Sequence, residues 1–146
     1  MLLNYSLACL RIFGEALIPD EITQLLGAAP TTSRMKGDVK YRSKEGRETI
    51  AKEGAWLLSA DERTPADVDR QAAEILEKLT DDPDKWKSLV QRFDVDFYCG
   101  WFMKDSNEDI EIAPQTLAAL GARGIKLAVS MYAPTAGDRP TVDPNR

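Results

Sequence analysis

LRIFGEALIPDEITQLLG, residues 10–27, passes from a strand into a helix, and each punctuating residue has a backbone reason to be where it is. Residues 5–13 alternate imperfectly, with Ala8, Leu10 and Ile12 on one side and Leu7, Cys9, Arg11 and Phe13 on the other. A strand that is apolar on both sides belongs in the middle of a sheet. Gly14 ends it. Pro19 suits the first position of a helix, because its fixed φ is already helical and its missing N–H has no partner to lose. Asp20 and Glu21 then sit beside the positive helix end, Ile22, Leu25 and Leu26 form a buried stripe, and Gly27 supplies a left-handed stop.

Outward from this run the periods continue. Residues 30–52 hold no helical or strand period and read as a long polar loop, with a ragged edge hairpin near residues 39–42 and a strand at residues 53–59. Thr64-Pro65-Ala66-Asp67 has the spacing of a capping box, and Val68, Ala72, Ile75 and Leu79 follow at helical intervals. Asp82-Pro83 breaks that helix and caps another, whose buried face carries Trp86, Leu89 and Val90. Val95, Phe97, Cys99, Trp101 and Met103 alternate with Asp96, Tyr98, Gly100, Phe102 and Lys104, the clearest period of two in the chain. A turn at residues 106–109 predicts that residues 110–112 pair back. Pro114 opens a last helix, and Gly124 precedes a strand in which Ile125, Leu127, Val129 and Met131 face inward. The order predicts an α+β fold: a single, mainly antiparallel sheet with helices packed on one face, in one domain over residues 1–132. Residues 133–146, rich in Pro, Thr and Asp, read as a disordered tail.

Composition narrows the chemistry. The 146 residues, 43% apolar and 29% charged, are those of a folded domain with one core. No apolar run approaches the roughly 18 to 20 residues of a membrane helix, and the start lacks a secretory pattern, so a cytoplasmic protein is expected. Cys9 and Cys99 each lie in an apolar run and read as buried thiols. Histidine is absent, which excludes Ser-His and Cys-His nucleophile pairs and any His-containing zinc site. No phosphate-binding glycine motif occurs. Asp81-Asp82-Pro83-Asp84 lacks the Gly and terminal Glu of a calcium loop and reads as a helix cap. No catalytic residue, metal site or cofactor is assigned.

Charge is unevenly placed. The chain carries −5 overall, which argues against general nucleic-acid affinity. Residues 34–52 nevertheless hold seven basic residues against three acidic ones, net +4, leaving twelve basic against 21 acidic elsewhere, net −9. Arg34, Lys36 and Arg42 in this loop are candidates for binding an anion or an acidic partner, with Gly37 and Gly46 letting the backbone approach phosphate oxygens. The plain alternative is a solvated edge hairpin whose lysines discourage sheet pairing. Strand alternation also gathers Arg11, Asp96, Tyr98, Lys126, Ser130 and Tyr132 on the face opposite the helices, beside Leu7, Cys9, Phe13 and Phe102. That face reads either as simply solvated or as an interface to a partner or a second copy. Trp56, Trp86 and Trp101 fall on apolar stripes as core anchors, and a ligand role for Trp56 predicts a pocket it shares with Arg11 and Tyr98.

The run 10–27, Pro30-Thr31, Lys36-Gly37, Gly54-Ala55-Trp56, Cys99-Gly100 and the last strand ending in Tyr132 together resemble the bacterial family catalogued as domain of unknown function 4279, over about residues 5–132. The resemblance implies an α+β domain of bacteria and brings no established activity, cofactor or catalytic residue. The chain departs from the family pattern at Ile18, where the family tends to carry an Asp that caps the first helix.

The expectation that follows is a non-enzymatic bacterial binding protein acting through protein–protein contact, of the inhibitor or immunity type. A second reading is a small-ligand or anion-binding module using residues 34–52 and the sheet face near Trp56. The candidate binding residues are Arg11, Arg34, Lys36, Arg42, Trp56, Tyr98 and Tyr132. The partners they fit are a protein, a second copy of the chain or an anionic ligand; a membrane and nucleic acid are not expected.

Overall fold

A computed structural model describes residues 4–134, 140 and 142–145. In chain order the elements are β1 (Tyr5–Gly14), α1 (Pro19–Leu26), β2 (Thr32–Arg34), β3 (Val39–Arg42), β4 (Glu48–Ile50), β5 (Gly54–Ser59), α2 (Val68–Leu76), α3 (Pro83–Arg92), β6 (Asp94–Phe102), α4 (Pro114–Ala122) and β7 (Lys126–Tyr132). Five strands form one sheet in the order β2-β5-β1-β6-β7, and β3 and β4 pair as a separate two-stranded sheet. The fold is α+β, with a mainly antiparallel main sheet.

β1 is central, as its two apolar sides require. Ile12 lies opposite Trp56 of β5 and Val95 of β6, and Leu10 lies opposite Leu58 and Phe97. The pleat turns all these residues, with Ala8 and Cys99, to the helix side, where they join Ile22 and Leu26 of α1, Ala72 and Ile75 of α2, and Trp86 and Leu89 of α3 in one buried core. Trp56 and Trp86 are fully buried, and both indole N–H groups are satisfied, by Thr23 Oγ1 at 3.1 Å and by the Thr80 carbonyl at 2.7 Å.

α1 begins at Pro19 and ends at Gly27, whose φ of 92° is the left-handed stop and whose N–H reaches the Thr23 carbonyl. Ile18 caps it with no side-chain hydrogen bond. α2 starts later than the Thr64 spacing predicts. Asn4 Oδ1 accepts the Ala66 N–H and Ser6 Oγ accepts the Asp67 N–H, which ties this stretch to β1 in extended form. Asp67 therefore becomes the cap, accepting the Arg70 N–H at 3.0 Å. α3 starts at Pro83 with Asp82 as its cap.

The expected strand at residues 110–112 and the expected inward row of the last strand both change. Residues 110–112 form no strand, because β6 already has β1 on one side and β7 on the other and offers no open edge. β7 runs parallel to β6, with α4 as the crossover such a pairing needs. The inward row at this edge is also only partly covered: Ile125, just before β7, is buried, whereas Val129 and Met131 are 39% and 54% exposed. β2, which no period of two announced, pairs with β5 through three residues.

Candidate functional site

Two surfaces hold the residues singled out above. The first is the sheet face away from the helices. Arg11 on β1 lies opposite Asp96 on β6, and the two interlock as a bidentate pair, Nε to Oδ1 at 2.7 Å and Nη2 to Oδ2 at 2.6 Å. Both side chains are nearly buried, 13% and 12% exposed. The Arg11 guanidinium also lies 4.5 Å over the Tyr98 ring and 5.4 Å over Phe13, and its Nη1 donates to the Pro144 carbonyl at 3.0 Å. The hydrogen bonds to Asp96 raise its pKa further above the ordinary guanidinium value. Every nitrogen of Arg11 is thus engaged, and it acts as a clasp across the sheet.

Neighbouring groups on this face are committed in the same way. Tyr5, Phe102 and Tyr132, side by side on β1, β6 and β7, stack at centroid distances of 4.3 and 4.5 Å. The Tyr132 hydroxyl lies 3.4 Å from that of Tyr98, and this contact raises its pKa above that of a free tyrosine. Cys9, Phe13, Ala55 and Leu57 form a second, small buried cluster. Burial pushes the Cys9 and Cys99 thiols up to about 11, so neither is a ready nucleophile near neutrality. Arg34 of β2 reaches the same face, where its Nη1 donates to Asn145 Oδ1 at 2.6 Å. Of the tail expected to be disordered, residues 135–139, 141 and 146 lie outside the described residues; Pro144 and Asn145 are the segment that Arg11 and Arg34 hold.

Trp56 is the core anchor that its apolar stripe implied, and only its place among the candidate binding residues is corrected: it sits opposite Ile12, one residue along β1 from Arg11, and the pleat sends it to the other side of the sheet from Arg11 and Tyr98. It is fully buried among the helices and cannot share a ligand with those two residues.

The second surface is the β3–β4 arm. Its tip is a tight turn: Gly46, at φ 84°, donates to the Ser43 carbonyl, and Ser43 donates to the Arg47 carbonyl. At its base Gly37, at φ 96°, donates to the Ala51 carbonyl at 2.8 Å, and Ala51 donates to Asp38 in return. The glycine N–H groups expected to approach a phosphate are therefore spent inside the arm, and only side chains are left to meet an anion. All of β3 and β4 is exposed, including Val39, Tyr41 and Ile50 at 48%, 63% and 46%, with Met35 at 45% beside them. Arg42 faces Glu48 across the arm at 2.6 Å, and Lys36 lies 3.7 Å from Glu15 of the body. Between arm and body lies a cleft of about 390 Å³ lined by Glu15, Arg34, Lys40, Ile50, Lys52 and Glu53, beside a wider one of about 700 Å³ that includes Lys36.

The structure therefore brings Arg11, Tyr98 and Tyr132 together on the sheet face, gathers Lys36 and Arg42 in or beside the arm, and places Arg34 where the two surfaces meet. Asp96, the partner that immobilises Arg11, was visible in the alternation; the hold on residues 144 and 145 had no signal in the local sequence. Among the described residues no group of His, Cys, Asp and Glu side chains converges as a metal site, and no helix is long and apolar enough to cross a membrane.

A model of the family described as "Domain of unknown function (DUF4279)" matches residues 4–134. The chain belongs to that family. No curated protein and no solved structure gave a significant match. Membership assigns no activity to either surface.

Proposed function

We propose that this DUF4279 protein is a non-enzymatic binding protein that grips an acidic protein partner with its β3–β4 arm. The observation that carries the reading is the exposure of Val39, Tyr41 and Ile50 on a two-stranded sheet joined to no other, inside the one segment that is net +4 in an otherwise acidic chain. Water-facing apolar side chains on a projecting hairpin gain by being covered, and Tyr and Arg are the residues that anchor interfaces. The surrounding cations speed encounter with an acidic surface and orient it. An inhibitor or immunity-type role is the form of such binding that a small domain without histidine and with inert thiols fits best.

The cleft beside Arg34, Lys40 and Lys52 favours a second reading, in which a small anion is held by side chains alone. The two separate by experiment. Tyr41→Ser with Val39→Asp abolishes capture of a discrete acidic protein from the native host while leaving retention on heparin or polyphosphate unchanged. The charge reversal Arg34→Glu, Lys40→Glu and Lys52→Glu lowers heparin retention and leaves capture of the protein in place if the cleft is an anion site. Capture of the same protein by wild type and by the Tyr41 and Val39 variant overturns the arm reading.

A further inference from the structure

An open sheet edge presents a row of unpaired N–H and C=O groups, and proteins that stay monomeric blunt it with shortness, proline or charge. One edge of this sheet is treated that way. β2 has three residues, follows Pro30 closely and ends in Arg34. The other edge is not. β7 runs for seven residues without proline, and its only charge, Lys126 at the first position, is tied to Asp94 at 2.7 Å. Among the described residues it pairs with β6 alone.

Backbone direction adds to this. The Tyr132 carbonyl accepts the Met103 N–H at 3.0 Å, so Tyr132 turns its peptide groups toward β6. Strand alternation then turns those of Leu127, Val129 and Met131 toward the open edge. The same three residues carry the inner-face apolar row left partly uncovered, and Leu117 of α4, next to β7, is 51% exposed as well. Among the described residues, peptide groups with no strand partner and unburied apolar side chains thus coincide on one edge.

We propose that β7 pairs antiparallel with β7 of a second copy about a two-fold axis at Val129, joining the two main sheets into one of ten strands. A second copy fits because the strand is complementary to itself. Val129 is its midpoint, so pairing there uses all seven residues. Leu127 then faces Met131, Lys126 faces Tyr132, and no like charges meet. An isologous contact of this kind closes on itself and leaves only the blunted β2 edges free.

The test is the solution mass and the register. Light scattering on the intact chain at tens of micromolar gives twice the 16.2 kDa chain mass, and Val129→Lys and, separately, Met131→Glu halve it with unchanged circular dichroism. Val129→Cys cross-links to itself under mild oxidation, because residues paired at the axis lie within disulfide reach and the native thiols are buried. Ser130→Cys does not. A wild-type monomer, a dimer that persists in both charged variants, or cross-linking at 130 in place of 129 overturns the proposal; a monomer that instead captures a foreign strand at this edge does so too.

Discussion

Arg11 owes its place to Asp96 and not to solvent. A bidentate pair this poorly exposed is costly to break from one side, because the surviving charge stays behind in a low-dielectric setting. Asp96→Ala is expected to lower unfolding stability by about 3 kcal/mol in urea titration, whereas Arg42→Ala, in an ion pair open to water, changes it by about 0.5 kcal/mol or less. The thiols give a pH signature. Burial raises both Cys9 and Cys99 from 9.0 to about 11, so the folded state holds its thiol protons more tightly than the unfolded chain. Their contribution is complete below pH 9 and is lost as pH rises from about 9 to about 11. Cys9→Ala with Cys99→Ala flattens that part of the stability profile relative to wild type; an unchanged slope would contradict the assignment. Period-two alternation was enough to put Arg11, Asp96 and Tyr98 on one face. The apolar stripe likewise placed Trp56 in the core, where it is fully buried; alternation could not give the register of β5 against β1 that sets Trp56 on the opposite face from Arg11, because that register comes from long-range pairing.

Among the elements, those with local causes were readable in advance and those with distant causes were not. α1 follows from Pro19 and Gly27, and α3 from Asp82 and Pro83, all adjacent in sequence. The start of α2 instead depends on Asn4 and Ser6, about sixty residues away, and the lack of a strand at 110–112 depends on β7 having filled the edge of β6. α1 also carries a repairable defect. Its first-turn N–H groups meet no side-chain acceptor at Ile18, which is 40% exposed with extended backbone angles. Ile18→Ser supplies an acceptor without adding charge beside Asp20 and Glu21, and is expected to stabilise the protein by about 1 kcal/mol in thermal or urea unfolding. A destabilised variant would mean that the Ile18 side chain contributes more by packing than the cap can return.

At the scale of the molecule, one face of the sheet is closed by helices, the other is braced by the Arg11 clasp and the aromatic stack, and the arm stands apart from both. Segregation of charge and a hairpin near residues 39–42 were plain in the sequence; that the hairpin stands apart from the main sheet with Val39 and Tyr41 bare was not, because exposure is decided by what fails to pack on a segment. The arm makes few demands on the core, so its variants should leave stability untouched and alter only recognition. Photo-crosslinking in the native host, with a photoreactive amino acid at position 41 and, as a control, at the exposed Lys87 of α3, tests this most directly. The account predicts one discrete adduct to an acidic protein from position 41 and none from position 87. No adduct at 41, or the same adducts at both positions, would contradict it.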